Sequence, residues 1–252
     1  MSNDIPEREI YIVIDPQRVR HTSLDAAILL AERLKAGINA RLISDELLRE
    51  VARLPFTTEI VTASGEEREL ASASLDQLQR QKSALIADFL EQRVRPRKVS
   101  FRMEETSEHF SFQVVLERRR DLFLPAVKKT RRRTGMAQGG APLQAVQWVY
   151  DNCQASDRCF LLLQDLVAAG LTRRILVYGN KAIPSRIISA LSESGARVYW
   201  ISTADTGELL RKLQSGTDAD LMLLPASFTV DLGEAALREL NRQSEAPILV
   251  VG

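Results

Sequence analysis

The chain has 252 residues, enough for one large core or for two ordinary ones of roughly 100–150 residues. With 45% hydrophobic and 27% charged residues it is excluded from the disordered, collagen-like and disulfide-stapled classes, and Cys153, Cys159, His21 and His109 form no zinc-type spacing. Its 34 basic and 33 acidic side chains nearly cancel to +1, so the whole-molecule charge points to no nucleic acid, anionic membrane or acidic substrate.

The N-terminal MSNDIPERE has neither a basic start nor an apolar stretch, so no secretory signal is expected. Apolar runs such as Ala26–Ala31 fall far short of the roughly 20 residues of a membrane span, and a cytoplasmic protein with no membrane partner is the expectation. Residues 9–14, EIYIVI, read as a buried strand closing on Asp15-Pro16. Ser23 suits the N-cap of a helix carrying Ala26, Ala27, Leu29, Leu30 and Leu34, ended by Gly37. A strand at 40–44, a short helix at 47–54 stopped by Pro55, and an extended segment at 59–63 with a Ser64-Gly65 turn follow. Apolar residues three or four apart then predict the longest helix over 70–93.

Residues 98–103 alternate as a strand, 110–117 fit helix and strand equally poorly, and 122–127 read as a strand before an irregular stretch, 128–142. Pro142 suits the first turn of a helix over 143–152, carrying Trp148, which leads to a strand at Cys159–Leu163. After Gly170 come strand 174–178, helix 184–193, strand 197–202 with Trp200, helix 207–214, strand 220–224, helix 232–242 and strand 247–251. Strict alternation of short apolar strands with helices predicts a doubly wound α/β fold with parallel sheets. Two series in succession predict two domains, 1–168 and 169–252; one continuous sheet of about ten strands is the alternative.

The strings IVIDPQ, EAPILVVG and DADLMLLPA, with ARLPFTTEIVTASGEERELASASLDQLQRQ between them, resemble an atypical tandem branch of the universal stress protein family. The resemblance implies two tandem doubly wound, adenine nucleotide alpha hydrolase-like domains, the second shortened by loss of its long helix and strand. It further implies that the two repeats pair through their last strands within one molecule, placing Cys159–Leu163 beside 247–251 as an intramolecular pseudo-dimer. A further homo-oligomer is left open.

Nucleotide-binding relatives place an Asp after the first strand and a G-x2-G-x9-G-[ST] loop after the fourth. Asp15 matches the former. The loop in 127–142 departs from the latter, offering Thr134, Gly135, Gly139, Gly140 and Ala141 as a candidate cradle whose backbone N–H groups would approach an anion. The second repeat, with its first strand ending at Tyr178-Gly179-Asn180, has no matching Asp; Asp231 and Glu234 read as caps of their own helix, and GNKAIPS at 179–185 as a plain strand-to-helix turn.

Charge is uneven along the chain. Residues 93–133 carry thirteen basic and five acidic side chains, a net +8, leaving −7 on the rest. The run Lys128, Lys129, Arg131, Arg132 and Arg133 is either a solvated loop or an interaction surface. Phe101, Phe110 and Phe112, among the rings of this segment, have a spacing that reads as core, so nucleic acid is the weaker of the possible partners. No nucleophile and base pair can be assembled. The expectation is a non-enzymatic stress-response or regulatory protein acting through a protein partner, its nucleotide loops degenerate and no cofactor required; an ATP- or AMP-binding switch in the first domain is the alternative.

Overall fold

The computed structural model describes residues 8–16, 18–43, 58–60, 65, 67–69, 72–106, 111–117, 120–127, 143–215 and 219–252. Strands β1 (Glu9–Ile14), β2 (Gly37–Ile43), β5 (Phe101–Thr106), β6 (Asp121–Leu124), β7 (Ala145–Val149), β8 (Arg174–Gly179), β9 (Arg197–Ser202), β10 (Leu221–Pro225) and β11 (Ile248–Val251) form one sheet in the order β5-β2-β1-β6-β11-β10-β7-β8-β9. A separate antiparallel hairpin pairs β3 (Thr58–Ile60) with β4 (Glu67–Glu69).

Every pairing in the main sheet is parallel except the one at its centre, where β6 meets β11 antiparallel with Phe123 opposite Leu249. The sheet is therefore two parallel sets joined last strand to last strand, and it is also continuous. The strand expected beside 247–251 was Cys159–Leu163; the strand found there is β6, and Cys159–Leu163 lies in helix α4 (Gln154–Ala168). The expected helix over 143–152 is instead strand β7, so Trp148 is a strand residue. Both differences have one cause. All five residues of β7 are buried, so the strand shows no alternation, whereas in α4 a stripe of Ser156, Cys159, Leu162, Leu163 and Leu166 is buried at helical spacing.

Among the described residues the set after β6 has five strands and the set ending at β6 has four. Strand order changes sides between Leu124 and Ala145, whereas the two expected units, 1–168 and 169–252, meet beyond α4.

Helices α1 (His21–Leu34), α2 (Ser72–Val94), α4 and α5 (Ser185–Glu193) cover one face of the sheet. Their Leu24, Ile28, Leu90, Leu162, Leu163 and Leu191 pack with Ile12, Phe123, Trp148 and Leu249. The opposite face is covered by α3 (Phe112–Glu117), α6 (Thr206–Ser215), α7 (Ala226–Leu232) and α8 (Glu234–Gln243), over Tyr11, Leu122, Leu224 and Val250. The helix expected over 232–242 is α8, and a further helix, α7, precedes it, parted from it at Gly233 with φ 82°. Among the described residues no helix is long and apolar enough to cross a membrane. The expected helix at 47–54 lies outside the described residues.

Caps differ from expectation in two places. Helix α1 begins two residues before Ser23, whose buried hydroxyl accepts a bond from the Ala126 N–H at 3.2 Å and ties the helix to the chain leaving β6. Glu234 does not cap its own helix; its Oε2 accepts from Ser111 Oγ at 3.0 Å and from the Phe112 N–H at 3.2 Å, capping α3 of the other set. Arg238 holds the same carboxylate at 2.6 Å and lies over the Phe112 ring at 4.3 Å. Glu234→Ala is expected to lower stability by about 1–2 kcal/mol, because the first turn of α3 loses its acceptor. Glu234→Gln should recover most of this, and chemical denaturation of the three proteins checks it.

Two helix ends hold a lysine where glycine is the usual residue. Lys35, after α1, has φ 51°, and Lys98, after the short 3-10 turn Arg95–Arg97 that follows α2, has φ 54°. The left-handed conformation costs a non-glycine residue roughly 1–2 kcal/mol.

Candidate functional site

In a doubly wound sheet, ligands bind at the carboxyl ends of the strands where the chain turns from building one way to building the other. In the five-stranded set that point lies between β7 and β10, because β8 and β9 follow on one side and β10 and β11 on the other. Strand β7 is followed by Tyr150-Asp151, and β1 by Asp15.

Asp151 is the centre of this crevice. Its Oδ1 accepts from Ser156 Oγ at 2.5 Å and from the Cys153 N–H at 3.0 Å, tying it to the first turn of α4. Its Oδ2 accepts from Ser227 Oγ, which reaches across from the first turn of α7. Pro225, the last residue of β10, is also the residue that caps α7, so no loop separates that strand from its helix. A helix occupies the place where the family resemblance implies a glycine-rich phosphate loop. Asn152 has φ 63° and its Oδ1 accepts from the Tyr150 hydroxyl at 2.7 Å. Burial and the neighbouring Asp157 carboxylate raise the Tyr150 phenol above its ordinary value, so it is a neutral donor at physiological pH.

Beside Asp151, Gly179 closes β8. A Cβ at this position would lie 2.7 Å from the Tyr150 carbonyl oxygen and 2.9 Å from Trp200 Cη2, so the indole packs directly on the strand backbone next to the crevice. The chain then turns through residues 180–184 into α5, the plain strand-to-helix connection expected of GNKAIPS.

In the four-stranded set the corresponding position lies between β1 and β6. Asp15 stands there as expected, at the carboxyl end of β1. Its backbone carbonyl accepts the N–H groups of Arg18 at 3.1 Å and Val19 at 2.9 Å, and its half-exposed carboxylate lies 3.5 Å from Arg18 Nε. Thr134, Gly135, Gly139, Gly140 and Ala141 lie outside the described residues, as do Lys128, Lys129, Arg131, Arg132 and Arg133. Because β6 and β11 run antiparallel, Asp15 and Asp151 sit at opposite edges of the sheet and do not share a site.

Asp151, Ser156 and Ser227 are the residues that sequence reasoning missed. The signal was present: WVYD repeats the pattern of IVID, a buried strand closing on an aspartate, but the helix expected over 143–152 concealed it. Among the described residues no group of three His, Cys, Asp or Glu side chains is placed to hold a metal ion. Burial pushes the Cys159 thiol well above its ordinary value and makes it a packing residue.

No protein-family model matches the sequence, and no curated protein matches it. Among solved structures, a universal stress protein from Archaeoglobus fulgidus DSM 4304 aligns over 96% of this chain and 95% of its own, with a TM-score of 0.50 and 10% identity. At that identity the likeness is one of architecture, and it shows that the chain has a universal stress protein-like α/β fold.

Proposed function

We propose that the chain is a non-enzymatic regulatory protein of stress-linked type, working through a protein partner, whose second half has given up nucleotide binding. The observation that carries this reading is the engagement of Asp151 by Ser227. The aspartate at the switch point is held by groups of its own chain from both sides of the crevice, and α7 starts directly at the end of β10. A nucleotide there would have to displace three hydrogen bonds and find its phosphates facing a helix in place of a loop. The shared architecture supports the stress-linked role.

A second reading, an ATP- or AMP-binding switch in the first half, is favoured by one observation: the Asp15 carboxylate is partly exposed at the β1–β6 switch point. Titration calorimetry with ATP and AMP separates the two. The expected result is no binding at millimolar nucleotide. Micromolar binding abolished by Asp15→Ala would establish the second reading, and micromolar binding abolished by Asp151→Ala would overturn the closed crevice itself.

A further inference from the structure

We propose that the paired lysine turns at the base of the four-stranded set, Lys35 and Lys98 with Arg33 and Arg95, form a docking surface for an acidic segment of a protein partner. The argument rests on an internal comparison. Four helices end in the same turn, in which a left-handed residue bonds back three positions and the next residue bonds back five. These are Lys35 and Ala36 after α1, Lys98 and Val99 after the 3-10 turn, Gly170 and Leu171 after α4, and Gly195 and Ala196 after α5. The turns after α1 and α4 lead into the strand beside the set's central one. Those at Lys98 and Gly195 lead into the set's edge strand.

At both positions the five-stranded set uses glycine and the four-stranded set uses lysine. The turn therefore does not need lysine, and both lysines sit in a backbone conformation that disfavours them. Attraction of a lysine to the helix carboxyl end is open to it from neighbouring positions as well, so it does not account for a lysine at the left-handed residue itself.

The two turns are adjacent. The Ile38 N–H donates to the Ser100 carbonyl at 2.8 Å, and Arg97 Nε meets Glu32 Oε2 at 3.1 Å across them. Arg93 and Arg97 are already matched by Asp25 and Glu32, while Arg33, Lys35, Arg95 and Lys98 are exposed and make no ion pair among the described residues. Glu32, Asp25 and the exposed Glu91 interleave with these cations and would repel an unbroken row of phosphates. Phe89, the ring at the margin, is stacked on His21 at 4.4 Å and covered by Arg93, so no free ring is offered to a base. A few discrete carboxylates on a protein segment match this pattern better than a nucleic acid does.

The surface rests on the partner-binding reading above but not on the closed crevice, so nucleotide calorimetry and the following test fail independently. The probe is a fluorescein-labelled hexaglutamate peptide, followed by anisotropy at low and physiological salt, with a short DNA duplex as competitor. The full chain is compared with Lys35→Gly/Lys98→Gly. The expected result is salt-sensitive peptide binding that falls about tenfold in the double variant, with a melting temperature at or above that of the parent, since glycine relieves both turns. Unchanged peptide affinity, or a lowered melting temperature showing that the lysines serve the fold, would overturn the proposal. Tighter binding of the duplex than of the peptide would overturn the choice of a protein partner.

Discussion

Phe123→Ala is expected to lower the stability of the chain by about 3–5 kcal/mol, the cost of truncating a fully buried phenylalanine. Phe123 is 0% exposed at the middle of β6, opposite Ile12 of β1 on one side and Leu249 of β11 on the other. It packs into the larger core with residues of α1 and α4, and so fills space at the seam between the two parallel sets. A cavity there cannot close by one element shifting, because the parallel ladder with β1 and the antiparallel ladder with β11 fix β6 from both sides. Denaturation by guanidinium, with Leu85→Ala as a control, is the measurement. Leu85 is 66% exposed on α2, and its truncation is expected to stay within about 0.5 kcal/mol. A loss at Phe123 no larger than that at Leu85 would mean that the seam is not a packed part of the core.

Much of this architecture was legible in the chain, and the reason is physical. Strands β1, β8 and β11 are short, largely apolar runs bounded by turn residues, and α1, α5 and α6 carry one apolar stripe each, so period and punctuation agree. The segment 143–168 was not legible, because β7 is buried on both faces and CFLLLQDL in α4 is a short apolar run that both periods fit. That one exchange of strand and helix propagated. It displaced the central strand of the five-stranded set, put the wrong strand beside β11, and hid Asp151. The bonds of Asp151 to Ser227 and of Glu234 to α3 were beyond any local pattern, since 76 and 122 residues separate the partners. The place of Asp15 at the end of β1 was legible because its strand was read correctly, which is the same rule seen from the other side.

The crevice beside Asp151 yields the second large effect, at Gly179. Gly179→Val is expected to cost about 2–3 kcal/mol by overpacking. The cause is not backbone conformation, since Gly179 is an ordinary strand residue; it is the absence of room for any side chain. The Tyr150 carbonyl oxygen, 2.7 Å from the position of a Cβ, belongs to the strand end that carries Asp151, and Tyr150 is itself held to β8 by its N–H on the Tyr178 carbonyl at 2.8 Å. A side chain must therefore push β7 and β8 apart at the point where the crevice is built. The second obstacle, Trp200 Cη2 at 2.9 Å, belongs to a side chain and can yield. The two are separable with Gly179→Ala, Trp200→Ala and the double variant. If the backbone contact dominates, the double variant retains the loss seen in Gly179→Ala beyond that of Trp200→Ala. If the indole dominates, removing it recovers that loss, and the close packing beside Asp151 is set by Trp200 rather than by the sheet.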